Sequence, residues 1–116
     1  MEQARFEALG DGAFRVTGTL DFTTVPQVWK ASQPLLRQAG SEPSVDLQGV
    51  TRVDSAGLAL VLEWLALARQ QRQGLRILRI PEKLLALARI SETEAFLIAS
   101  GPDAAAHSAA SSSASG

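Results

Sequence analysis

The sequence predicts an α/β domain: a small mixed β-sheet of about four to five strands covered by helices, in the order β-β-α-β-α-β-α with a short C-terminal element. Three observations carry this. Two strand-like runs flank Gly10-Asp11-Gly12 near the N-terminus, and an Asp-Gly pair in that setting is a hairpin signal. Beyond them, short apolar strands alternate with segments of helical periodicity, the signature of parallel crossovers. Finally, "RVDSAGLALVLEW" (52–64) sets an acid, a hydroxyl and a glycine before a long apolar helix.

Each element has its own grounds. "ARFEAL" and "AFRVTGTL" are the hairpin strands. In "DFTTVPQVWKASQPLLRQAG", Val25, Val28, Trp29, Ser32, Leu35, Leu36 and Ala39 follow the spacing of one helical face. Thr23 or Thr24 caps its start, Pro26 suits the first turn and Gly40 the C′ position, while Pro34 should bend or break the helix. A strand follows around Ser44–Leu47, then the helix that opens at the D-S-A-G-L motif and ends near Gly74. "LRILRI" (75–80) is a strand, and Pro81 closes it and begins "PEKLLALARI" as a helix. Ser91 and Glu94 have capping-box spacing for one more turn or helix.

The folded domain is expected over residues 1–100, and 101–116, almost wholly alanine and serine, reads as a disordered tail. The 116 residues are 46% hydrophobic and carry a net charge of −1 with scattered basic residues, which disfavours a nucleic-acid reader. With no cysteine there are no disulfides, thiolate ligands or thiol nucleophiles. Neither a secretory signal nor a bilayer-length apolar run is visible, which places the chain in the cytoplasm as an expectation, without direct membrane insertion.

Catalysis fails on inventory. The only histidine, His107, lies in the tail, so a serine–histidine triad has no base and histidine metal sites have no ligands. Phosphate-loop and dinucleotide motifs are missing. Asp46 and Asp54 could be paired carboxylates, but loop solvation and capping explain them more simply. The expectation is a non-enzyme with no cofactor and no metal.

The motif helix has more apolar surface than one sheet contact needs. Leu58, Val61, Leu62 and Leu65 form one stripe, taken as facing the sheet; Leu60, Trp64 and Leu67 fall almost opposite. Ala59, Glu63, Ala66 and Gln70 make a small or polar strip between them. Either a neighbouring helix covers the second stripe or it is a partner surface with Leu60 on it and Trp64 as anchor. Trp29, on the single apolar face of its helix, is expected in the core. Ser55 reads as a cap or near-cap hydroxyl with Asp54 favoured by the helix dipole. A phosphate there would gain from unpaired backbone N–H groups and repel Asp54. Gly57 serves a tight turn or lets a partner backbone approach.

"VTGTLDFTTVPQVW", "VDLQGVTRVDSAGLALVL" and "LRILRIPEKLLALARI", in this order, resemble the STAS domain family, named for sulfate transporters and anti-sigma-factor antagonists. The resemblance spans about residues 4–99 and implies the STAS fold. It also implies one of two roles. In anti-sigma-factor antagonists the motif serine is phosphorylated by a partner kinase; Ser55 holds that position and Asp21 matches the nearby loop acid. In the MlaB type, a cytoplasmic subunit docks on the ATPase of an inner-membrane phospholipid-transport ABC complex that maintains outer-membrane lipid asymmetry. Threonine is usual at the motif there, so Ser55 departs from the pattern. The long leucine-rich second helix and the G-x-L-D segment followed by a tryptophan are similar to the MlaB type. The expectation is therefore docking on an ABC ATPase, with an anti-sigma kinase as the alternative partner. Asp21, Asp54, Ser55, Ala56, Gly57, Leu60 and Trp64 are the expected partner-binding residues.

Overall fold

A computed structural model describes residues 3–99. His107 and the alanine–serine segment lie outside the described residues. The element order is β1 (Arg5–Gly10), β2 (Ala13–Leu20), α1 (Val25–Arg37), β3 (Ser44–Val53), α2 (Ser55–Gln70), β4 (Arg76–Leu78), α3 (Glu82–Ile90) and α4 (Glu94–Ala99). One mixed sheet holds the strands in the order β1-β2-β3-β4. β1 and β2 are antiparallel, and β2, β3 and β4 run parallel.

The hairpin closes through Asp11 and Gly12, whose φ values of 53° and 76° are those of a turn that twists with its strands. β2 and β3 are each followed by a helix and then by a parallel neighbour. Such crossovers are right-handed, and two that advance in the same direction put α1 and α2 on the same side. The sheet is accordingly apolar on one face and polar on the other. Phe14, Val16, Val45, Leu47 and Ile77 are buried beneath the helices. On the opposite face Arg15, Gln48 and Arg76 are exposed, and Arg15 sits 3.5 Å from Glu7 across the β1–β2 ladder. The helices thus cover one face only.

Several local expectations are corrected. β3 reaches Val53, well beyond Leu47, because its second half pairs with β2 up to Leu20. β4 is only Arg76–Leu78. α1 runs through Pro34 without breaking and ends at a C-cap Gln38 with Gly40 two residues on, so Gly40 is not at C′. Neither Thr23 nor Thr24 caps α1 with its side chain. Thr24 is the N-cap by position only; the Asp21 carboxylate ties the turn before the helix, accepting from the backbone N–H of Thr23 (2.9 Å) and of Thr24 (3.1 Å), and the N–H of Val25 goes to the Asp21 carbonyl at 2.9 Å. Ser91 and Glu94 form no capping box: Ser91 is the C-cap of α3, its hydroxyl donating to Leu87 O, and Glu94 pairs with Arg89 at 2.7 Å.

The main correction concerns α2. Leu60, Trp64 and Leu67 are buried, as are Leu58 and Val61 of the other stripe. Trp64 is wholly inside, 5.8 Å from the ring of Phe6 on the sheet, and its indole N–H donates to Ser32 Oγ of α1 at 2.8 Å. Leu60 and Trp64 therefore cannot touch a partner. α2 is the middle helix of its layer, packed against α1 on one flank and α3 on the other with the sheet beneath. A helix so placed must be apolar nearly all round. What it shows to solvent is the strip Ser55, Ala59, Glu63, Ala66 and Gln70, with Arg69 beside it in the last turn. Trp29, expected in the core, is half-buried against it.

Candidate docking edge

Two turns meet at the C-terminal ends of the parallel strands β2 and β3. Leu20 and Val53 are paired in the sheet, and Asp54 N donates to Leu20 O at 3.1 Å, so the turn after β2 lies beside the start of α2. Open parallel sheets present their functional groups at this end.

The β2–α1 turn is tied tightly. Asp21 Oδ1 also accepts from the Thr23 hydroxyl at 2.6 Å, while the Thr24 hydroxyl donates to Thr19 O at 2.7 Å and accepts from Asp21 N at 3.0 Å. These bonds hold the Asp21 carboxyl below its ordinary value of 3.8, the Thr23 hydroxyl contributing most. With Asp21 and Thr24 occupied in fixing the backbone, Phe22 is turned outward and is 75% exposed. Sequence reasoning missed Phe22. Its signal was an aromatic between an acid and two threonines, at a position that neither strand nor helix periodicity could place inside.

On the β3–α2 side, Asp54 is the N-cap, its Oδ1 accepting from Ala56 N at 2.8 Å. Ser55 is thus the first residue of α2 and is exposed; Ala56 is half-buried. Gly57 is buried, and the backbone it approaches is its own. A Cβ there would strike the Val53 side chain and come within 3.0 Å of Leu20 O. That glycine seats α2 on the two strand ends, away from the surface. The structure therefore brings Asp21, Asp54, Ser55 and Ala56 together, adds Phe22, and withdraws Gly57, Leu60 and Trp64 into the interior.

Asp46 and Asp54 do not form a pair. Asp46 lies within β3 near its start and Asp54 just past its end, separated by about 25 Å of extended chain. Asp46 is engaged with Arg79 Nη1 (2.7 Å) and Gln48 N (2.9 Å). Among the described residues no helix is long and apolar enough to cross a membrane.

Comparison with known proteins agrees with this architecture. A family model described as "Mlab, STAS domain" matches residues 6–99, nearly all the described chain. A search of curated protein sequences found no match. Among solved structures, the anti-sigma factor antagonist SpoIIAA in its unphosphorylated form superposes with a TM-score of 0.62. It shares 17% identity over 78% of this chain and 82% of that one, a likeness of fold. The apolar-on-one-face sheet, the D-S-A-G-L turn at its strand ends and the family match make one conclusion: the chain belongs to the MlaB-type STAS domain family.

Proposed function

We propose that this chain is the non-catalytic STAS subunit of a phospholipid-transport ABC complex of the Mla type, which maintains outer-membrane lipid asymmetry. It docks on the complex's ATPase, peripheral to the inner membrane, and stabilises that subunit's assembly or active conformation. The match to the MlaB-type family model over residues 6–99 is the observation that carries this reading. The candidate docking edge supports it: Phe22 is exposed on the turn after β2, Ser55 and Ala59 are exposed on α2, and the two turns leave neighbouring strand ends joined by Asp54 N to Leu20 O. An aromatic presented on a tightly bonded turn loses little conformational freedom on binding, which suits an anchor. ATP would be hydrolysed by the partner.

A second reading has its own observation. Ser55 Oγ is exposed at the motif position, open to a kinase as in an anti-sigma-factor antagonist. A phosphate there would lie at the N-terminus of α2, next to the Asp54 carboxylate. The two are separated by pull-down from native lysate with wild-type protein and Ser55→Arg. The ATPase reading expects an ABC ATPase that is recovered by wild type and lost with Ser55→Arg, the variant remaining folded. Recovery of an anti-sigma kinase, with phosphate on Ser55, would replace it; wild-type recovery of the ATPase by Ser55→Arg would remove Ser55 from the interface.

A further inference from the structure

A second surface lies on the other flank of β3. β4 pairs only with Ser44–Asp46, although β3 continues to Val53. The cause is local. Asp46 ends the ladder by taking Arg79 at 2.7 Å, and Arg79 holds a left-handed φ of 52° that turns the chain away from β3. The chain returns at Pro81, whose extended backbone (φ −61°, ψ 146°) leads into α3. Between the departing chain and the far half of β3 a cleft of about 340 Å³ opens, lined by Val50, Thr51, Arg52, Val53, Pro81 and Lys83. That volume is within the range of ligand sites.

The lining is chemically specific. Val50, Val53 and Pro81 supply apolar surface, and two cations line the cleft, Arg52 from β3 and Lys83 from α3. Both cations are exposed, and neither is in an ion pair among the described residues. Of the other basic residues next to this strand, Arg15 and Arg79 already pair with Glu7 and Asp46, and Arg76 sits against Ser44 at the far end of β3, outside the cleft.

We propose that this cleft binds an extended acidic segment of a partner protein, lying along the second half of β3 with its carboxylates on Arg52 and Lys83 and its alternate apolar side chains on Val50, Val53 and Pro81. The alternation follows from the period of two in an extended peptide, and charge complementarity sets the sign of the partner. The occupant is peptide because the cleft is an open trough along a strand, with apolar and cationic groups interleaved. The cleft adjoins the Ser55 edge at Val53, and the variants that test it leave Asp21, Phe22 and Ser55 unchanged.

The test is titration of the full-length ¹⁵N-labelled chain with a short synthetic peptide of alternating valine and glutamate, read by amide shifts. Saturable shifts are expected at Val50, Arg52, Val53 and Lys83, weakening as salt is raised. Arg52→Glu with Lys83→Glu should weaken binding about tenfold, two exposed attractions becoming repulsions. Arg52→Gln with Lys83→Gln gives the same direction should the charge reversal disturb folding. A valine–lysine peptide should leave these amides unmoved. Three results overturn the proposal: shifts absent or centred elsewhere, binding indifferent to both double variants, or the same shifts at the same affinity with inorganic phosphate, which would make this a simple anion site.

Discussion

The indole N–H of Trp64 donates to Ser32 Oγ over 2.8 Å, with both side chains fully buried, and so fastens α2 to α1 inside the core. Ser32 is a polar residue on the apolar face of α1, and its hydroxyl passes the chain on by donating to Trp29 O at 3.2 Å. Burying an indole N–H without an acceptor is costly, so the serine is what allows Trp64 to be an interior residue.

The pair should therefore behave as one unit. Ser32→Ala strands the indole donor and is expected to cost about 1–3 kcal/mol. Trp64→Ala empties a site against Phe6 and should cost about 3–5 kcal/mol. With Trp64→Phe, which keeps most of the ring but has no donor, Ser32→Ala should be less damaging than in wild type. A double-mutant cycle by urea denaturation measures this coupling, expected at about 0.5–3 kcal/mol. Additive effects would show that the bond carries no energy of its own.

Gly57 is the second position where packing overrides local preference. Alanine favours a helix interior over glycine by about 1 kcal/mol. Here an added Cβ meets the Val53 side chain and comes within 3.0 Å of the Leu20 carbonyl, and the carbonyl cannot yield without moving the end of β2. Gly57→Ala is expected to lower stability by about 1–3 kcal/mol. A rise in the denaturation midpoint would mean that α2 lifts off the strands at little cost.

The order of elements and their types were legible because each rests on local pattern: the Asp-Gly hairpin, the helical face of α1, the D-S-A-G-L start of α2. The solvent strip of α2, Ala59 to Gln70, was legible for the same reason. What misled was the second stripe. Periodicity shows that Leu60 and Trp64 lie opposite Leu62 and Leu65, but not that two helices flank α2, since that depends on the hand and direction of successive crossovers. Ser32 was read simply as part of an apolar face, although a serine there was the sign that a buried donor faces it. β4 fell short for another long-range reason, the Asp46–Arg79 contact that ends its pairing. Phe22 escaped because exposure in a turn leaves no period to read.

Asp21 should make the turn after β2 sensitive to acid. Its carboxyl is held below the ordinary 3.8 by the Thr23 hydroxyl first and by the backbone N–H groups of Thr23 and Thr24. A folded value below the unfolded one means that the ionised carboxylate favours the native turn. That contribution is complete above the ordinary value and is lost as pH falls through the lowered one. Carboxyl-detected NMR titration should find Asp21 below 3.8, and Thr23→Val should move it upward. Asp21→Asn should leave the Thr23 and Thr24 amides without this acid transition. An Asp21 that titrates at its ordinary value would show that the turn bonds do not distinguish the two charge states.

Phe22 separates docking from folding. Its side chain is 75% exposed, so Phe22→Ser should change stability by no more than about 0.5 kcal/mol, measured by thermal or urea unfolding. The turn itself is built from Asp21, Thr23 and Thr24, none of which relies on the aromatic ring. If the edge binds an ATPase with Phe22 as an anchor, the same substitution should weaken association by at least about tenfold, the scale of an interface aromatic. Calorimetry or surface plasmon resonance with the purified ATPase reads this directly. Ala59→Arg, one turn along the same exposed strip from Ser55, should act in the same direction through steric block, again with the fold intact. Unchanged affinity in both variants would move the interface off this edge, and unfolding in either would contradict the exposure on which the prediction stands.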